Sequence, residues 1–120
     1  ATRAETENWN GSAWTETSDL NTARADIAGA GESYTAAICI GGYTTNAVDN
    51  AETWNGSAWT EVSEINTARY TGGASGGSPS SIIYGGSIPP GAAKTETESW
   101  DGSSWTEVAD LKTGKVPTGT

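Results

Sequence analysis

Six glutamates and six tryptophans recur together, and they are the side chains of this chain best suited to chemistry. Glu7, Trp9, Trp14 and Glu16 form one group, Glu52, Trp54, Trp59 and Glu61 a second, and Glu98, Trp100, Trp105 and Glu107 a third. Two carboxylates flanking a glycosidic bond can hydrolyse it, and indole faces stack on sugar rings. Arg24 and Arg69 could bind an anion, the pairs Gly41-Gly42 and Gly85-Gly86 could approach a phosphate, and Asp49 with Asn50 could offer oxygens to calcium. Each option meets an objection within the same sequence. Catalysis needs one carboxylate pair made different by its surroundings, whereas here every group carries the same pair, as expected of solvated strands. The glycine pairs lack the Lys-Ser/Thr of a phosphate loop. Asp49 and Asn50 lack the Asp-x-Asp-x-Asp-Gly pattern of a calcium loop.

What is missing narrows the chemistry further. Histidine is absent from the 120 residues, which removes Ser-His and Cys-His catalysis and any imidazole metal ligand. The single cysteine, Cys39, cannot form an intrachain disulfide and lies between Ile38 and Ile40, as a buried strand thiol would. No enzyme activity, cofactor or metal is expected. The net charge of −9 disfavours nucleic acid and anionic membrane surfaces as partners. No apolar run approaches the ~20 residues of a membrane-spanning helix. The chain contains no methionine, so it is expected to be processed or to belong to something longer.

The elements that carry these residues form a long-period repeat. Residues 7–24 and 52–69 differ only at Asn8/Thr53, Thr17/Val62, Asp19/Glu64 and Leu20/Ile65. A third copy starts at Glu98 and runs on through Leu111-Lys112-Thr113-Gly114-Lys115, where Ala-Arg has become Gly-Lys. Periods of this length mark stacked structural units. Each Trp-Asn-Gly-Ser-Ala-Trp phrase reads as a β-hairpin, with Asn-Gly as a tight turn in which both residues tolerate positive φ. Asp101-Gly102 keeps that turn in the third copy. It also drops the glycosylation pattern that Asn10-Gly11-Ser12 and Asn55-Gly56-Ser57 match, so turn geometry accounts for all three copies.

Apolar runs bounded by turn residues supply the other strands. For one unit we expect strands near 25–31, 34–40, 49–54 and 58–62, and for the next near 70–76, 81–85, 95–100 and 104–108. Residues 1–17 then hold the outer half of a unit, 18–62 and 63–111 complete units, and 112–120 a C-terminal tail. The least repetitive stretches are the loops 43–48 and 87–94. If a specific ligand binds, the candidates are Tyr43, Asp49, Asn50, Pro89, Pro90 and Lys94, on variable loops carried by a rigid scaffold.

The order of three signatures resembles the kelch repeat, the four-stranded blade of a β-propeller. They are Ala23-Arg24 and Ala68-Arg69 after a short turn, Gly41-Gly42 and Gly85-Gly86 closing strand two, and paired aromatics in strands three and four. The resemblance covers nearly all of residues 1–111. The fold it implies is all-β, with about two and a half blades of four antiparallel strands. It also implies an arginine that tethers neighbouring strands through hydrogen bonds and a carboxylate, and indoles that pack between blades. Tryptophan stands where kelch blades more often carry tyrosine, and the hairpin is unusually short. The phrases are also similar to kelch-like repeats in predicted structural proteins of tailed phages, particularly marine ones.

Propellers have ~4–8 blades, so other blades, from a longer chain or from further copies in a homo-oligomer, are expected to cover the exposed faces. The resemblance implies a structural or adhesive role at an extracellular or virion-associated location, with protein or glycan contacts. The alternatives are a lectin-like module or part of a longer carbohydrate-active propeller enzyme. A copper site of the galactose-oxidase kind needs histidine, which these residues lack.

Overall fold

The computed structural model describes residues 2–33, 36–70, 72–77, 80–88 and 92–113. The chain is all-β, and no helix occurs among the described residues. Twelve strands form a hairpin, two four-stranded antiparallel sheets and a second, very short hairpin. The first hairpin pairs β1 (Glu7–Trp9) with β2 (Trp14–Glu16). The first sheet has the order β3 (Ala28–Ser33), β4 (Ala36–Ile40), β5 (Ala51–Trp54), β6 (Trp59–Val62). The second has the order β7 (Gly73–Gly77), β8 (Ser80–Tyr84), β11 (Thr97–Trp100), β12 (Trp105–Val108). The short hairpin of β9 (Ser87–Ile88) and β10 (Ala92–Ala93) is inserted between β8 and β11. Pro89 and Pro90 lie outside the described residues, as do Tyr34 and positions 114–120.

Both sheets are up-and-down meanders, each strand pairing with its neighbours in the chain once the inserted β9–β10 hairpin is set aside. Among the described residues, the apolar core lies between the sheets. It joins Ala28, Ile38, Ile40, Ala51 and Ile65 to Ile83, Trp100 and Trp105, with Ala30, Val62 and Ala74 at its margin. Alternation puts Ile38 and Ile40 on one face of β4 and Cys39 on the other, yet all three are buried. A middle strand covered on both faces needs such a continuous apolar run. The sheets approach most closely through their inner strands, β3 and β7. Residues 28–31 of β3 are all glycine or alanine and β7 holds only glycine, alanine and serine, and these small residues let the backbones come near.

The inner strands begin later than expected, for a local reason. Ala25 forms a two-way bridge with Tyr43 (2.8 and 2.9 Å), and Asp26 then takes φ of 53°, which interrupts the extended chain before Ala28. Tyr70 bridges Ser87 in the same way in the next unit, and β7 starts only at Gly73.

The reading of the hairpin turns is corrected in one respect. Trp9 pairs with Trp14, so four residues form the loop, and only the glycine has positive φ: 98° at Gly11, 99° at Gly56 and 98° at Gly102. The asparagine works through its side chain. Asn10 Oδ1 accepts the backbone N–H groups of Ser12 (2.8 Å) and Ala13 (2.9 Å), and Asn55 repeats this. These are Asx turns. Asp101 makes the same pair of bonds, and the N–H groups of Ser104 and Ser103 hold its carboxyl below the usual range.

The paired glycines close β4 and β8 with consecutive positive φ values, 65° and 115° at Gly41 and Gly42, 66° and 96° at Gly85 and Gly86. The turn aims Gly42 N–H at the carbonyl of Arg69 (2.8 Å), a bond between one repeat and the next. A Cβ on Gly41 would stand 2.6 Å from that carbonyl oxygen, whereas one on Gly11 would meet nothing within 4 Å. Gly41→Ala should therefore lower unfolding stability by about 2–4 kcal/mol, and Gly11→Ala by only about 1 kcal/mol. Urea midpoints of the two variants check this, and equal losses would refute the contact.

Candidate functional site

The residues with the greatest chemical potential meet at two equivalent joints. Each joint is built on a linker, residues 20–24 or 65–69, that straddles two units. Its backbone bonds to the unit before it: Leu20 N to Ala4 O (2.8 Å) and Arg24 N to Arg3 O (2.9 Å), then Ile65 N to Asp49 O (3.0 Å) and Arg69 N to Val48 O (3.3 Å). Its polar groups reach the unit after it. Arg24 donates to the carbonyls of Thr22 (3.3 Å), Gly41 (2.7 Å) and Asn50 (2.9 Å), and to Glu52 Oε2 (2.8 Å). Arg69 repeats the set with Thr67 (3.2 Å), Gly85 (3.3 Å), Glu96 (2.8 Å) and Glu98 Oε2 (2.7 Å). All four charged side chains are fully buried.

The glutamates are as fully engaged as the arginines. Glu52 accepts from Asn21 N (2.8 Å), Asn21 Nδ2 (3.0 Å) and Thr22 N (3.4 Å) in addition to Arg24. Glu98 accepts from Asn66 N (2.7 Å), Asn66 Nδ2 (3.1 Å) and Thr67 N (3.0 Å) in addition to Arg69. The expectation of solvated carboxylates is thus corrected for these two, while Glu7, Glu16, Glu61 and Glu107 are exposed. Glu52 stands opposite Glu61, and Glu98 opposite Glu107, in the facing arrangement of a hydrolase pair. The buried member already fills its lone pairs with fixed donors, so it is held as a structural anion.

The indoles come in cross-strand pairs with centroids 5.4 Å apart at Trp9–Trp14, 5.3 Å at Trp54–Trp59 and 5.1 Å at Trp100–Trp105, tilted in each case. Two of the pairs lean on the preceding unit. Trp105 Nε1 donates to Ser63 O (2.9 Å) and Trp59 Nε1 to Thr6 Oγ1 (3.4 Å). Trp100 and Trp105 are 3% and 7% exposed, but Trp9 and Trp14 are 46% and 64% exposed. A cleft of about 420 Å³ opens beside the first hairpin, lined by Trp9, Trp14, Trp54, Trp59, Ala37 and the 6–8 segment.

The structure disperses the loop candidates. Tyr43 stacks edge-on against Tyr70 at 5.2 Å. The Asp49 carbonyl belongs to the second joint and that of Asn50 to the first, and Asn50 Nδ2 donates to Glu61 Oε2 (3.0 Å). Lys94 pairs with Glu96 at 3.3 Å. No cluster among the described residues could hold a metal ion. Cys39 is buried beside the joint, and burial pushes its thiol up to about 11.

Sequence reasoning singled out the arginines and missed Asn21, Thr22, Asn66 and Thr67 as donors to the buried carboxylates. The signal was present: Asn-Thr-Ala-Arg and the glutamate of the tryptophan phrase both recur at a fixed spacing. No family model matches the chain, and no curated protein is similar to it.

Two outcomes follow. Arg69→Ala strands the Glu98 carboxylate in the interior and should cost about 3–5 kcal/mol, while Arg3→Ala, at an exposed pair, should change little; chemical denaturation of both variants compares them. The second concerns pH. The Cys39 thiol is neutral in both folded and unfolded chains below about pH 8.5, so its contribution is fully present there. As pH rises towards about 11, the unfolded thiol ionises first, and stability falls by up to about 1.4 kcal/mol per pH unit. Cys39→Ala should remove that part of the alkaline slope in denaturation curves taken across this range.

Proposed function

We propose that this chain is a kelch-like β-propeller segment with a structural or adhesive, non-enzymatic role in a virion or another extracellular assembly. The observation that carries this reading is the repetition of one joint, in which the arginine, the glutamate and the glycine pair are consumed in holding successive four-stranded sheets together. A repeat that spends its reactive groups on cohesion leaves loops and sheet edges as the surfaces for recognition, and protein or glycan partners would meet it there. The meander order of both sheets and their contact through glycine-rich inner strands support a radial arrangement of blades.

A lectin-like reading has one observation in its favour, the cleft walled by four indoles beside Glu7. Two experiments test these readings. Electron microscopy of the assembled protein should show the sheets set radially around an axis, and a flat stack would overturn the propeller. Glycan and protein binding should fall when loop 43–48 is replaced, and should be indifferent to Glu61→Gln. Turnover of a glycoside that is lost with Glu61 would sink the non-enzymatic reading.

A further inference from the structure

Two of the three hairpin turns carry asparagine before glycine, and the third carries aspartate in the same place. Asparagine is thermolabile, and a following glycine exposes it to one particular reaction. The backbone nitrogen of the glycine adds to the side-chain carbon Cγ and closes a five-membered ring. Glycine favours this because no Cβ shields its nitrogen.

The turn bears on each part of that reaction. The attacking nitrogen is uncommitted: among the described residues, no acceptor is bonded to the N–H of Gly11 or Gly56. The leaving nitrogen is uncommitted too. No described residue bonds to Nδ2 of Asn10 or Asn55, whereas Asn21, Asn50 and Asn66 donate theirs to glutamates. The side-chain oxygen, by contrast, is held. Oδ1 of Asn10 accepts from Ser12 N (2.8 Å) and Ala13 N (2.9 Å), and Oδ1 of Asn55 from Ser57 N and Ala58 N at the same distances. Negative charge collects on this oxygen as the nitrogen adds to Cγ, and fixed backbone donors aimed at it lower the barrier. Both asparagines are exposed to water. The space beside Gly11 is open, since a Cβ there would meet nothing within 4 Å.

The third turn shows what the product looks like. Asp101 Oδ1 accepts from Ser103 N (2.8 Å) and Ser104 N (2.9 Å), and φ is 98° at Gly102 as at Gly11. Trp100 still pairs with Trp105 as Trp9 does with Trp14. An aspartate therefore sits in this turn without altering it.

We propose that Asn10 and Asn55 are sites of spontaneous modification, each cyclising to a succinimide in the folded chain and opening to aspartate. Hydroxide takes the proton from the glycine nitrogen, the N–Cγ bond forms, and the Cγ–Nδ2 bond breaks. Ammonia leaves with a proton from water. Water then opens the imide. Breaking the N–Cγ bond restores the ordinary backbone with an aspartate side chain. Breaking the bond to the backbone carbonyl carbon instead routes the chain through the side chain as isoaspartate, which lengthens the loop by a methylene. The first product keeps the Asx turn and adds a carboxylate, so two such events take the net charge from −9 to −11. Neither step depends on how the sheets are set around an axis.

The full folded chain in mildly alkaline buffer supplies the test, with hydroxylamine added to one portion. Hydroxylamine cuts a chain at a succinimide, so fragments ending at residues 10 and 55 are expected under native conditions. No cut is expected after Asp101, whose ionised carboxylate resists attack. In the other portion, peptide mapping should find both asparagines converted to aspartate and isoaspartate with release of ammonia. Asn8, Asn21, Asn46, Asn50 and Asn66 should stay intact. Gly11→Ala should abolish the cut after residue 10 and leave the one after residue 55. Asn10→Asp should fold and melt as the unaltered chain does. Cuts that appear only once urea has unfolded the chain overturn the proposal, because the turn then protects the asparagine. Conversion of Asn10 that Gly11→Ala fails to slow overturns it as well, since that is direct hydrolysis, and so does a lowered melting temperature in Asn10→Asp.

Discussion

Everything else in this structure depends on a guanidinium and a carboxylate brought together out of water. Burying such ions separately costs several kcal/mol each, and their mutual attraction offsets this only when the remaining donors and acceptors are also satisfied. Here they are. Each arginine spends its N–H groups on three carbonyls and one carboxylate, and each glutamate collects four donors. The arrangement is favourable as a whole and unfavourable in any part. It therefore acts as a register lock: a linker displaced by one residue would leave two charges unpaired in the interior. Apolar packing between sheets of glycine, alanine and isoleucine is tolerant of small slips, and the ion pair removes that tolerance.

The same constraint explains the odd conformations nearby. The arginine needs carbonyl oxygens turned towards it, and the consecutive positive φ values of Gly41-Gly42 and Gly85-Gly86 present them. A side chain at Gly41 would strike the next linker, so the residue that permits the turn also permits the close approach. The lock, the glycine pair and the short linker form one device, and each repeat uses it once.

Much of this was legible in the sequence because the period is long and the copies are close. The first hairpin, the eight strands of the two sheets, their order and most of their extents follow from apolar runs and turn residues, whereas the β9–β10 hairpin lies in the stretch 87–94 read as a loop. The late start of β3 and β7 was not legible, because it depends on Ala25 and Tyr70 bonding across to Tyr43 and Ser87, a pairing that no local pattern announces. Likewise, nothing local separates Glu52 from Glu61. Both flank a tryptophan pair on the same face of a hairpin, and only the incoming linker makes one an interior anion and leaves the other in solvent. The turn asparagine was assigned to the right place for the wrong reason, since its backbone stays at negative φ and its side chain does the capping. The Asp101 substitution fits this role better, because a carboxylate accepts the two N–H bonds as well as an amide oxygen does.

The internal joints also bear on what the exposed tryptophans mean. An indole pair open to solvent beside a carboxylate is, taken by itself, a good description of a sugar-binding surface. In this chain the same three side chains occur twice more: Trp100 and Trp105 are buried in the core, Trp54 is buried and Trp59 half-buried beside the first hairpin, and both carboxylates lie under a linker. What differs at Glu7, Trp9 and Trp14 is that none of the described residues covers them, not the chemistry of the side chains.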